Sequence, residues 1–432
     1  MLTHPPKRLA ERTLVLTLCS AALALSACKK DAPAGDKAGS STGIGSANAP
    51  AAGGNKITIG VLTDMSGLYA DLAGKGSVIA AQMAVDEMGG KVGDMPVEIV
   101  SGDHQNKADV GSTIAREWYD DKGVDVIVDV PTSSVALAVS ELTKTKNKVF
   151  LASGPGSSDL TGKSCSPNTI HWTYDTWALA NATGREVVKN GGDSWFFLAA
   201  DYAFGAALER DVTKVVEASG GKVLGDVKHP LNASDFSSFL LQAQSSKAKI
   251  IGLANAGGDT INAIKQAAEF GIVSKGQKLA GLLVFISDVN ALGLETAQGL
   301  ILSESFYWDR DDKTRAFGKK FGDKAGGTMP TMVQAGVYSS VLHYLKAIAE
   351  LKSAKDGKAV VAKMEAMPTD DVVFGKGTID PNGRKRHSMY VYEVKKPSES
   401  KAKWDDYKLI REVPADQAFR APADSGCPLL TK

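Results

Sequence analysis

From Lys56 onward the chain alternates short apolar runs with stretches whose apolar residues recur at helical spacing, and this alternation restricts the fold more than any other feature. The runs "ITIGVL", "VEIVSG", "VDVIVDV" and "KVFLAS" are rich in Val and Ile and of strand length, as expected of strands buried on both faces. Between them, "SVIAAQMAVDEM", "DVGSTIAREWYDD" and "SVALAVSELTK" carry the period of amphipathic helices. Strand, helix, strand in repetition predicts a parallel sheet covered on both faces.

The same rhythm resumes further on, with strands "SWFFLAA", "KVLGDVK", "KIIGLAN" and "KLAGLLVF" separated by helical stretches. Two such sets exceed what one sheet usually holds, so the expected fold is α/β with two lobes, each a doubly wound, mostly parallel sheet. After "GLILSESFYW" two further helices are expected, "TRAFGKKFGDKA" and "TMVQAGVYSSVLHYLKAIAELK". The chain then closes in antiparallel pieces, "FGKGTIDPNGRKRHSMYVYEVKK" around a Pro-Asn-Gly turn and "DDYKLIREV".

The N-terminus is read as a targeting segment rather than fold. Lys7, Arg8 and Arg12 form a basic n-region, "TLVLTLCSAALAL" is an apolar stretch too short to span a bilayer comfortably, and "LSAC" ends it in small residues. Leu25-Ser26-Ala27-Cys28 resembles the lipobox of bacterial lipoproteins, which implies a signal peptide over residues 1–27 and acylation of Cys28. An ordinary secretory peptide with an incidental Cys28 is the alternative. Residues 28–55 are almost wholly Ala, Gly, Ser, Pro and charge, a flexible tether spanning roughly 30 Å root-mean-square as a random coil. Formal net charge is +1 for the whole chain, which lacks a broad basic field and so argues against nucleic acid as partner. Cys19 leaves with the signal and Cys28 goes to the lipid. Cys165 and Cys427 remain, an even pair in an oxidising compartment, and a disulfide between them is expected.

No motif for chemistry is visible, and neither a cofactor nor a metal is expected. In the loop "TDMSGLYADLAGKGS", six residues rather than four separate Gly67 from Gly74 and Gly76 follows Lys75, so it is no phosphate-binding P-loop. Gly74-Lys75-Gly76 also lacks the third glycine of a dinucleotide site. The 6 histidines show no HExxH spacing, and no GxSxG occurs. "DRDDKT" from Asp309 has Thr314 and Lys320 where a calcium loop needs Gly and Glu.

The loops expected at the C-terminal ends of the strands carry the signal instead. They read "TDMSG", "PTSS", "SGPGSS", "DYAFG", "NAGGD" and "SD", offering hydroxyls and backbone N–H groups at helix N-termini, which suit a carboxylate. Each alone reads equally as a helix cap. Six in series predict a cleft.

Together, "IGVLTDMSGLYADLAGKGSVIAAQMAVDEMGG", "VDVIVDVPTSSVALAVSEL", "KVFLASGPGSSDLT" and "DYAFGAAL" resemble the periplasmic solute-binding proteins of ABC importers, of the branched-chain amino acid type. The resemblance spans Lys56 to about Lys396. It implies two lobes joined by three crossovers, lobe 1 over residues 56–175 and 302–367 and lobe 2 over 176–301 and 368–426. A solute would be trapped between them and closure read by an ABC permease, with the chain a lipid-anchored monomer of the periplasm and not an enzyme. Carried over by residue, the carboxylate-binding hydroxyls fall on Thr132, Ser133 and Ser134, and the next contact loop on Gly154-Pro155-Gly156, with Ser153 just before it a further expected carboxylate contact. The family's second-lobe aromatic falls at Phe204-Gly205 with Tyr202 beside it, Ser66, Leu72, Tyr174 and Asn255 complete the expected ligand contacts, and Asp288 is nearest to the acidic residue that meets an amino group. Gly156 lacks the hydroxyl the family carries there, and "HWTYDTW" adds aromatics at the first crossover. Both features leave an aromatic acid or amide open beside an aliphatic amino acid. A ligand sensor, which would share the fold, stays open beside an importer.

Overall fold

The computed structural model describes residues 56–430. The expected signal peptide, Cys28 and the expected tether fall on residues 1–55, which lie outside the described residues.

The first half builds one sheet. It contains β1 (Ile57–Thr63), α1 (Gly74–Glu87), the hairpin β2 (Lys91–Val92) and β3 (Met95–Asp103), α2 (Ala108–Asp120), β4 (Val126–Asp129), α3 (Ser133–Thr145), β5 (Val149–Ala152) and β6 (Thr169–His171). Strand order is β2-β3-β1-β4-β5-β6, parallel except for β2. Every residue of β1, β4 and β5 is buried, which is why these strands read as continuous apolar runs.

A helical crossover follows: α4 (Thr176–Leu179), a π turn (Ala180–Gly184) and α5 (Arg185–Lys189). The second sheet comprises β7 (Ser194–Ala200), α6 (Ala203–Ala218), β8 (Lys222–His229), α7 (Ser237–Ser245), β9 (Ile250–Ala254), α8 (Gly258–Glu269) and β10 (Lys278–Gly281). Its order is β10-β9-β7-β8, all parallel. The run "KLAGLLVF" stays a strand only to Gly281. There the chain folds back so tightly that a Cβ on Gly281 would lie 2.6 Å from Val284 Cγ2.

After α9 (Ile286–Leu292), α10 (Leu294–Ala297) and β11 (Ile301–Glu304), the chain returns to the first sheet as α11 (Asp312–Lys324), α12 (Met332–Leu351) and α13 (Gly357–Ala366). Helix α12 starts on a capping box, Thr331 with Gln334, and buries most of its length against α1. Strands β12 (Thr369–Asp371), β13 (Gly375–Ile379) and β14 (Lys385–Arg386) form a small antiparallel sheet around the Pro-Asn-Gly turn. A bridge from Arg384 to His171 attaches it beside β6. Finally β15 (Met389–Val394) and β16 (Tyr407–Val413) pair antiparallel with β11, and α14 (Ala415–Ala418) leads into the tail. We propose on these pairings that residues 369–386 travel with the first lobe and 301–304 with the second, setting the second and third crossovers near 305 and 387 rather than at 301/302 and 367/368.

In each sheet the chain reverses its direction of winding once, between β1 and β4 and between β7 and β9. Such reversal points open a crevice at the C-terminal strand ends. Here the two crevices face one another.

Candidate functional site

The loop after β1 is folded around one carboxylate. Asp64 accepts hydrogen bonds from the backbone N–H of Gly67 at 2.7 Å and Tyr69 at 2.9 Å, and from the Asn106 side-chain amide at 2.6 Å. The Asn106 carbonyl in turn accepts from Thr132, so the loops after β1, β3 and β4 are knitted together. From the other side, Thr331 Oγ1 at the start of α12 donates to the Leu72 carbonyl at 2.6 Å. These bonds turn Tyr69 and Leu72 into the crevice.

A narrow cleft results, lined by Tyr69, Leu72, Pro131, Gly154, Gly156, Tyr174, Tyr202, Phe204, Ala256, Leu283 and Phe285. The loops of both sheets and the first crossover all contribute. The free volume between these side chains is about 10 Å³, the order of a single water. Two contacts draw the sides together. The hydroxyls of Tyr69 and Tyr202 meet at 2.6 Å, and Gly258 N–H donates to the Leu68 carbonyl at 3.2 Å. Gly257 is required there, because it sits at φ 55° and a Cβ would lie 2.5 Å from Leu68 O.

Of the expected contacts, Leu72, Gly154, Gly156, Tyr174, Tyr202 and Phe204 meet in the cleft. Tyr174 is anchored by donating its hydroxyl to the Gly154 carbonyl at 2.6 Å, and its ring meets Phe285 edge-on at 6.2 Å. The missing side chain of Gly156 has a packing reason: a Cβ would stand 2.7 Å from Phe204 Cε2 and 3.1 Å from Tyr174 Cε2. Gly156→Ala should therefore displace Phe204, costing about 1–3 kcal/mol of stability and closing part of the cleft. Chemical denaturation reads the first effect, and an unchanged midpoint would mean that the ring moves aside freely.

The remaining expected residues stand behind or away from the lining. Thr132 donates to Asn106, and Ser134 is half-buried. Ser133 Oγ accepts from Ser157 N–H at 3.2 Å, which leaves its own proton free to donate. Ser153 Oγ is buried without a hydrogen-bond partner. Ser66 is exposed and donates to Asp103 at 2.7 Å. Asn255 is engaged with Thr260 at 2.7 Å and His229 at 3.0 Å. Asp288 accepts from its own helix's Phe285 N–H at 3.0 Å, and burial pushes its carboxyl up to about 7.

Tyr69, Pro131, Ala256, Leu283 and Phe285 line the cleft beyond the expected contacts. Pro131 and Ala256 are legible in the sequence, since each sits in one of the loops quoted above. Behind Gly154 lies Asp129, fully buried, whose carboxyl burial pushes up to about 7. Asp129 and Val130 hold φ values of 79° and 57°, a left-handed pair ending β4 beside the cleft. Such strain in a β-branched residue is uncommon away from functional loops. Among the described residues, no group of three or more His, Cys, Asp or Glu is placed to hold a metal ion.

Two facing α/β crevices joined by three crossovers define a solute-capturing protein of the two-lobed kind. The chain belongs to the periplasmic binding protein family, whose model matches residues 56–402. A periplasmic binding protein from Burkholderia mallei is 52% identical, with 88% of this chain and 100% of that chain covered at a TM-score of 0.85. A branched chain amino acid ABC transporter periplasmic ligand-binding protein from Burkholderia xenovorans LB400 is 41% identical, covering 86% of this chain and 99% of that one at a TM-score of 0.77. Leu/Ile/Val-binding protein homolog 6 of Brucella melitensis is 26% identical over 360 residues, 81% of this chain and 90% of the relative. This is a periplasmic substrate-binding protein of the ABC transporter family.

Proposed function

We propose that the chain captures a small carboxylate-bearing solute with an apolar body between its lobes and delivers it to an ABC permease, while tethered to a membrane by a lipid on Cys28. It acts as a monomer and catalyses no reaction. The observation that carries the solute class is the lining: five aromatic rings, Tyr69, Tyr174, Tyr202, Phe204 and Phe285, converge with Leu72 and Leu283 and with no charged side chain among them. Rings stacked edge and face favour a planar apolar group. The carboxylate is assigned to Ser133, whose hydroxyl proton is uncommitted, with the backbone N–H groups that open α3.

An aromatic acid is the reading favoured by this lining. An α-ammonium group would need an acidic partner, and Asp288 is turned to its own backbone. A branched-chain amino acid is the second reading, supported by the names of the Brucella melitensis and Burkholderia xenovorans relatives. Thermal unfolding of residues 56–432 against benzoate, 4-hydroxybenzoate, phenylalanine, leucine, isoleucine, valine and small amides separates the two. A ligand at a hundred times its Kd adds about 2.7 kcal/mol, a clear shift. Shifts confined to aromatic acids uphold the first reading. Shifts confined to leucine, isoleucine or valine overturn it in favour of the second.

A further inference from the structure

Away from the cleft, a second polar cluster joins the two sides of the molecule around one buried carboxylate. Asp211 on α6 is fully buried. Its Oδ2 accepts from Ser158 Oγ at 2.6 Å and from Thr176 Oγ1 at 2.7 Å. Its Oδ1 accepts from Arg420 Nη2 and from Arg210 Nε, each at 3.1 Å. Arg210 continues the link, with Nη2 donating to Ser158 Oγ at 2.8 Å and Nη1 paired to Asp159 at 3.0 Å.

These groups come from four parts of the chain. Ser158 and Asp159 lie in the turn after β5 of the first sheet, Arg210 and Asp211 in α6 of the second, Thr176 at the start of the crossover, and Arg420 in the C-terminal tail. The tail reaches the cluster as a strap. It leaves β16 on the second side and is fixed to the first side by the disulfide between Cys427 and Cys165. Along the way the Arg420 guanidinium stacks 4.0 Å over Trp177, and its carbonyl accepts from Arg386 Nη2 at 2.9 Å.

We propose that Asp211 is a positioning residue for closure, a latch that holds the two lobes together, and that the disulfide-fixed strap completes it by presenting Arg420. The proposal rests on the hinge-closing reading of the family fold. In an open form Ser158 and Asp159 move away with the first lobe, and Asp211 and Arg210 lose partners that they hold only when closed. Buried ion pairs add little net stability, and their best-attested use is to select one arrangement over another. The latch raises the share of closed molecules, and with it the apparent affinity for the solute, by the same factor.

The test needs no solute. Nitroxide labels on Asp94→Cys, an exposed turn of the first sheet, and Lys247→Cys, an exposed turn of the second, report the distance between lobes by pulsed dipolar spectroscopy in the otherwise intact chain. The parent should show a short-distance population. Arg420→Ala and Asp211→Asn should each lower that population about five- to tenfold, the range of an ordinary coupling free energy. Arg420→Lys, which keeps the charge, should restore part of it. If Asp211→Asn fails to fold, the two Arg420 variants decide. A parent with no short-distance population overturns the proposal, and so does an Arg420→Ala variant whose melting point falls while its distance distribution stays as in the parent. Failure of every compound in the thermal panel would count against the solute class alone, because the label distances do not depend on it.

Discussion

Replacing Cys427 with Ser lowers the stability of the folded body by about 3–5 kcal/mol. The bond closes a loop of 262 residues, so chain-entropy bookkeeping places the upper bound near 5 kcal/mol. Both sulfurs are buried, and the strap they end carries Phe419, packed beneath Arg384 and against His387. Loss of the bond therefore frees packed residues as well as chain. Calorimetry of the parent with and without reductant, beside the Cys165→Ser/Cys427→Ser double variant, measures this. The double variant should match the reduced parent and ignore reductant. A loss under about 1 kcal/mol would mean that the tail frays apart from the cooperative unit and that the rest of the fold does not depend on it.

Arg384→Ala should cost a similar 3–5 kcal/mol, by a different route. The Arg384 side chain is 2% exposed and stands 3.6 Å from Asp175. It also donates to the carbonyls of Tyr174 and Lys385, both at 2.9 Å, and stacks over Phe419 at 4.7 Å. Burial holds its guanidinium down to about 10, and burial pushes the Asp175 carboxyl up. Removing the cation leaves that carboxylate without its main counter-charge, while Asp175 still caps α4 through Ala178 N–H. Tyr174 loses its backbone anchor in the same stroke, so solute affinity should fall along with stability. The double variant Arg384→Met/Asp175→Asn, which removes both charges, should recover most of the stability. Urea unfolding decides it: equal destabilisation in the single and double variants would show that packing over Phe419, and not the ion pair, carries the effect.

Much of the architecture was legible because its strands are buried on both faces and therefore spell themselves as Val- and Ile-rich runs, as β1, β4 and β5 do. The cysteine pairing was legible by elimination, once Cys19 and Cys28 were assigned elsewhere. What was hidden depended on partners remote in sequence. Thr132 looks like a ligand hydroxyl until Asn106 accepts its proton, and Asp288 looks like a free acid until its own helix takes it. Phe285 was concealed by the opposite error, an apolar run that outlasts its strand by four residues. The Pro-Asn-Gly hairpin could be foreseen but not its address, because the bridge between Arg384 and His171 leaves no periodic trace.

The π turn at Ala180–Gly184 divides its helix into two surfaces that a regular α-helix could not present together. Ahead of it, Thr176 and Trp177 face α6 and the tail, through Asp211 and Arg420. At and beyond it, Thr183 bonds Ser303 at 2.9 Å and Glu186 pairs with Arg411 at 2.7 Å, both toward the β11-β15-β16 sheet. A π turn amounts to one extra residue in the helical count, a rotation of about 100°. Deleting any one residue from this turn would restore an even winding and set one surface out of phase with the other. Residue number in this segment is thus fixed more tightly than residue identity, and a gap here in a relative's sequence would mark a differently geared joint between its lobes.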